Sequence, residues 1–165
     1  KKITEADRKI LGSTSPKFIA SMVNSISYKG FDFSIFLYAS VGAMLNNNIE
    51  YLNKPGRANS IVIDYWTPTN PTNAYPRPSV DNASPAYVKS LQYEKADFIR
   101  VRNITLGYTL PEKLLKKIRA RKIRVYLSAN NPFVITGFSG IDPEGARGYT
   151  APSASTWMGG VNLSF

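Results

Sequence analysis

The sequence predicts an all-β fold: an antiparallel transmembrane β-barrel, of which these 165 residues supply five strands. Three observations carry that expectation. Hydrophobicity alternates with a period of two over segments longer than ordinary strands, the connections alternate between short and very long, and the last residue is an aromatic on an apolar strand face.

The clearest alternation spans 31–44. Phe31, Phe33, Ile35, Leu37, Ala39, Val41 and Ala43 form one wholly apolar face, whereas Asp32, Ser34, Phe36, Tyr38, Ser40, Gly42 and Met44 form a mixed one. A typical globular strand has about 5–6 residues and a membrane-crossing strand about 9–11, so this run has the reach of the second kind. A strand near 18–28 precedes it, with Phe18, Ala20, Met22, Ile26 and Tyr28 opposite Ser21, Ser25 and Ser27, and Lys29-Gly30 joins the two as a tight hairpin.

Residues 45–95 lose the period in a stretch rich in Asn, Pro, Tyr and Ser. Such a length lies well outside ordinary loops, and its aromatics favour an ordered, functional one. Alternation returns over 96–109, where Ile104, Leu106 and Tyr108 share a face. Arg100 and Arg102 fall on that face too, and a bulge near Asn103 would restore the pattern. Residues 110–118 read as a short helical turn with Pro111 at its first position. The strand at 123–135 sets Ile123, Val125, Leu127 and Ala129 against Arg124, Tyr126, Ser128 and Asn130. A second long loop covers 136–154, and the last strand, 155–165, aligns Trp157, Val161, Leu163 and Phe165.

Consecutive antiparallel strands put alternate connections at opposite ends, so both long loops gather at one end and the short turns at the other. Outer-membrane barrels have long extracellular loops and short periplasmic turns. The apolar faces would then meet lipid, with Tyr28, Tyr108 and Trp157 as interfacial girdle residues, and the polar faces would line the lumen. Five strands cannot close such a barrel, and an open edge does not persist in hydrocarbon, so the chain is expected to be the C-terminal part of a larger barrel. Lys1 and the lack of a signal segment suit an internal fragment, and no apolar run is long enough for a transmembrane helix.

Composition narrows the chemistry. With no His and no Cys, the sequence has no disulfide, no thiol nucleophile, no Cys/His zinc site and no imidazole base. It is expected to be no enzyme and to hold no cofactor or metal. The net charge of +10 raises nucleic acid as a partner, yet Lys113, Lys116, Lys117, Arg119, Arg121, Lys122 and Arg124, against Glu112 alone, concentrate the excess in one turn without the interleaved aromatics of a base-stacking surface. A solvated rim near anionic headgroups is favoured, and no nucleic-acid role is expected. Asp142-Pro143-Glu144 offers two carboxylates for calcium or glycoside hydrolysis, but acids at a proline turn more often serve loop architecture. Tyr65, Trp66, Tyr75, Arg77 and Tyr149 are the candidates for touching a ligand or a lid protein. Val161, Leu163 and Phe165 are candidates for the signal that directs barrel assembly.

Asp97-Phe98-Ile99-Arg100-Val101-Arg102-Asn103-Ile104-Thr105-Leu106-Gly107-Tyr108-Thr109-Leu110-Pro111 resembles a strand near the end of SusC/RagA-type TonB-dependent outer-membrane transporters of Bacteroidetes. Arg124-Val125-Tyr126-Leu127-Ser128-Ala129-Asn130-Asn131-Pro132-Phe133, then Gly140-Ile141-Asp142-Pro143-Glu144, is similar to the family's next strand and loop. Trp66-Thr67-Pro68-Thr69-Asn70-Pro71 with Pro76-Arg77-Pro78 is similar to the loop before them. The resemblance implies a barrel of about 22 strands in the outer membrane of a Gram-negative bacterium, with its plug domain outside this chain. It further implies a SusD/RagB-type surface lipoprotein as lid, the barrel assembly machinery as a partner, and import of oligosaccharides or peptides energised by TonB. The rival readings are a soluble β-sandwich that binds carbohydrate and a basic nucleic-acid-binding β domain.

Overall fold

A computed structural model describes residues 4–47, 64–75, 77, 88–116, 120–145 and 153–165. Strands β1 (Phe18–Tyr28) and β2 (Phe31–Val41) form a hairpin closed by Lys29 and Gly30, both at positive φ. The short strand β3 (Met44–Asn46) follows. A helical turn α1 (Val88–Leu91) leads into β4 (Tyr93–Lys95) and the long β5 (Phe98–Thr109). A second helical turn, α2 (Glu112–Leu115), precedes β6 (Lys122–Thr136), and β7 (Thr156–Ser164) comes last. The five long strands make one antiparallel sheet in the order β1-β2-β5-β6-β7, and β3 pairs with β4 in a separate ribbon.

The register sorts the side chains. Ile26, Phe33, Leu106 and Leu127 lie in one cross-strand row on the first face, and Ser25, Ser34, Thr105 and Ser128 lie in one row on the opposite face. Hydroxyls of the polar row bond across the strands, Ser25 to Ser34 at 3.2 Å and Thr105 to Ser128 at 2.8 Å. On the apolar face Phe31, Leu106, Leu127 and Val161 are each half exposed or more, and Ile135 is 71% exposed. No element among the described residues covers that face. The buried apolar cluster consists of Leu45, Ala96 and Phe138, away from the main sheet's faces. Each large side chain left in water forgoes about 1.5–3 kcal/mol of burial, so a face of this size demands an apolar neighbour. The all-β, antiparallel expectation agrees with this sheet.

Several elements differ from the expected boundaries for local reasons. The strand expected over 31–44 ends at Val41, because Gly42 takes φ +92° and gives its N–H to Asp97 Oδ1 at 2.6 Å. The chain then leaves the sheet, and Met44 joins the ribbon with Lys95. The 45–95 segment is accordingly structured at both ends. The strand expected from 96 starts at Phe98, since the Ala96 N–H bonds the Ala43 carbonyl at 2.9 Å. The expected bulge falls at Arg102, where β5 shifts register between Val101 and Asn103 against β6 and between Phe36 and Leu37 against β2. Pro111 stands at the N-cap of α2, in extended conformation, instead of at the first helical position. The final strand ends at Ser164, one residue before Phe165, which is 77% exposed.

Gly42→Val is expected to destabilise the folded barrel by about 1–2 kcal/mol through its left-handed backbone. The check is the urea midpoint of the full-length protein, and an unchanged midpoint would show that this corner bears no such constraint.

Candidate functional site

The bulge at Arg102 builds the site at the long-loop end of the wall. An extra residue there puts Arg100, Arg102 and Asn103 all on the polar face, which plain alternation cannot do. Arg100 is 3% exposed. Its Nη2 meets Asp142 Oδ1 at 2.6 Å, and its Nε lies 3.1 Å from Glu144 Oε2 without the alignment of a hydrogen bond. Arg102 pairs with Glu144 as well. The guanidinium of Arg102 stacks 4.8 Å from the Tyr38 ring centre and that of Arg100 5.7 Å from Phe98. Two cations and two anions thus cancel over an aromatic bed.

Asp142 is the hub of this cluster. Burial opposes its charge, but the backbone N–H groups of Glu144 and Ser153, the Ser153 hydroxyl and Arg100 together hold its carboxyl below the ordinary range. Each of the Glu144 and Ser153 hydrogen bonds measures 2.9 Å. Residues from both ends of the second long loop are thereby tied to the sheet.

A second clamp lies beside it. Glu94 on β4 accepts the Ser139 N–H at 3.0 Å and its hydroxyl at 2.7 Å, and also bonds the Asn47 side chain. Phe138 packs with Leu45 and Ala96 beneath. The β3–β4 ribbon and the start of the second loop are therefore fastened to each other.

The third feature is a knot over 64–75. Asp64 accepts from Asn70 Nδ2 at 2.8 Å and Thr72 Oγ1 at 2.7 Å, which keeps its carboxyl below the ordinary range, and the Trp66 N–H bonds the Tyr75 carbonyl at 3.0 Å. This brings Tyr65, Trp66 and Tyr75 together, with Tyr65 45% and Trp66 37% exposed. Burial, then the negative charge of Glu94, raises the Tyr75 phenol above its usual value. Arg77 is exposed, two residues beyond the knot. Tyr149 lies outside the described residues. Val161 and Leu163 sit on the apolar face at the other end of the sheet, away from the loops.

Two features escaped the sequence reading. The carboxylates of Asp142 and Glu144 are engaged by Arg100 and Arg102, a pairing signalled only by two arginines two apart and two acids two apart. Arg124, read both as part of the basic turn and on the polar face of its strand, holds Asp32 in a two-point pair, Nε at 2.9 Å and Nη2 at 2.5 Å. Gly107 makes room for it, since a Cβ there would lie 2.5 Å from Arg124 Nη2. Among the described residues no acidic cluster could hold a metal ion.

A single hydrogen-bonded layer with one apolar face, one polar face and its long loops knitted together at one end defines the wall of a membrane β-barrel. No family model matches the chain. It is 35% identical over 144 residues to TonB-dependent receptor P3 of Formosa agariphila, covering 86% of this chain and 14% of that protein. With TonB-dependent receptor SusC of Bacteroides thetaiotaomicron it shares 30% identity over 174 residues, 99% of this chain and 16% of that one. The RagAB peptide importer in its open-open state superposes over 100% of this chain and 19% of its own, with a TM-score of 0.76 and 27% identity. The chain belongs to the SusC/RagA-type TonB-dependent receptors, which are outer-membrane proteins, and forms part of their barrel. It spans less than a fifth of the length of these relatives.

Arg100→Met is expected to strand Asp142 and destabilise the loop attachment by about 3–5 kcal/mol, read as faster amide exchange over 138–145. Because the folded Asp142 carboxyl is held low, its contribution is complete above the ordinary carboxylate pKa of about 4 and is lost as pH falls through the folded value. Protection of these amides in wild type, corrected for the intrinsic exchange rate, should therefore fall in acid, and protection independent of both the variant and pH would refute the hub role.

Proposed function

We propose that this chain forms the C-terminal five strands and two large extracellular loops of an importer that brings oligosaccharides or peptides across a Gram-negative outer membrane. TonB supplies the energy through an N-terminal plug outside this chain, and a SusD/RagB-type surface lipoprotein closes the barrel from above. The observation that carries this reading is the two-ended wall. One end bears long loops, the second of them fastened by Asp142 and Glu94 and the first folded around Asp64, and the other bears shorter connections beside exposed aromatics. Likeness to the RagAB peptide importer over the whole chain supports the same assignment.

In this reading the segment does no chemistry and is not an enzyme. The polar face lines the lumen, and the clamps fix the loops so that recognition meets a preformed surface, which limits the entropy lost on binding. Tyr65, Trp66 and Tyr75, with Arg77 and Tyr149, present aromatic and cationic groups to cargo or to the lid. Val161, Leu163 and Phe165 form the strand end that the barrel assembly machinery recognises.

Uptake of labelled oligosaccharides and oligopeptides by cells carrying the full-length protein, against a deletion strain, tests the assignment and identifies the cargo. Uptake of neither would contradict it. Trp66→Ala is expected to weaken capture of cargo or lid roughly tenfold, with unchanged outer-membrane level. Deleting Phe165 should instead lower the outer-membrane level without altering synthesis, and normal insertion would remove the assembly role.

A further inference from the structure

We infer that the short-turn end of the wall is a docking surface for the headgroups of anionic glycerophospholipids. The inference rests on the membrane reading above and concerns the end opposite the loops. There the β1–β2 hairpin, the turn after β5 and the end of β7 are laced together. The Thr109 N–H bonds the Gly30 carbonyl at 2.8 Å, Leu110 bonds Ile123 at 2.9 Å, and Arg121 bonds Ser164 at 2.7 Å.

On this frame Lys29, Lys113, Lys116, Arg121 and Lys122 are all exposed. Glu112 is the acid beside them on the turn, while Asp32 is already taken by Arg124. No ion pair joins the five cations to a described carboxylate. Lys113 on α2 and Lys116 at its C-cap stand three apart, where like charges repel, so an anion shared between them relieves a cost that the protein alone leaves in place.

Apolar groups mark where the hydrocarbon would begin. Leu114 is 49% exposed beside the buried Leu115, and Tyr28 and Phe31 are 66% and 52% exposed. Phe31 and Tyr108 stack with ring centres 4.5 Å apart, and Lys29 Nζ lies 5.1 Å from the Tyr28 ring centre. Aromatic rings at the boundary with cations just beyond suit a phosphodiester layer over apolar chains. The same geometry explains why the excess charge gathers here and not on the loop end, where arginines and acids cancel.

The test uses the full-length protein in phosphatidylcholine nanodiscs doped with spin-labelled phosphatidylglycerol or spin-labelled phosphatidylcholine. Wild type should select phosphatidylglycerol, with up to roughly fivefold preference per contributing cation, and the preference should fall in high salt. The variant K113Q/K116Q/R121Q/K122Q should lose it, whereas the charge-preserving K113R/K116R/R121K/K122R should keep it. If the quadruple variant fails to fold, K113Q/K116Q supplies the comparison and should show a partial loss. Equal selectivity in wild type and the Gln variants overturns the docking surface. Failure of wild type to fold in neutral nanodiscs overturns the membrane reading itself, so the two failures are distinguishable.

Discussion

A strand that meets hydrocarbon can satisfy its peptide groups only through the strands beside it, and that constraint organises this segment. It accounts for five strands of about 9 to 15 residues in one continuous antiparallel ladder. It also accounts for an apolar face that no described element covers and, among the described residues, a small buried apolar cluster of Leu45, Ala96 and Phe138. In a soluble sandwich the same face would pack on a second sheet. Here stability comes from the ladder and from polar clamps, and its edges at β1 and β7 await the rest of the barrel.

Those clamps divide the work between the two ends. At the loop end Asp142 and Glu144 pair with strand arginines, Glu94 on β4 accepts from Ser139, and the Asp64 knot holds the aromatic trio. At the turn end a two-point Asp32–Arg124 pair fits over Gly107, while Lys113, Lys116 and Lys122 are exposed and make no ion pair with a described carboxylate. The loop end is thus held by charge pairs, and the turn end carries exposed cations.

The alternation in 31–41 and in 155–165 shows in the sequence because one face must be apolar throughout, and sequence period then equals structural period. What stays hidden is set by single positions that break the period. Gly42 ends β2 through its positive φ and an Asp97 contact 55 residues away in sequence, which no local pattern records. Arg102 adds one residue to β5, so two arginines that look like faults in an apolar face are polar-face ligands for Asp142 and Glu144. Arg124 reads as one of seven clustered cations, and only strand pairing reveals that it faces Asp32. Long-range charge pairing of this kind has no fixed spacing to search for. The aromatic trio of the first loop was visible as residue types, but the Asp64 knot that unites Tyr65, Trp66 and Tyr75 was not.

A membrane wall is defined by the medium that meets the odd-numbered residues of β2. Spin labels placed one at a time from 31 to 41 in the full-length protein, reconstituted in bilayers, report collision with oxygen, which concentrates in lipid, and with a water-soluble nickel chelate. The membrane wall requires oxygen accessibility to rise at 31, 33, 35, 37 and 39 and to fall at the even positions between them. Uniformly low oxygen accessibility, or odd positions open to the nickel chelate, would contradict it.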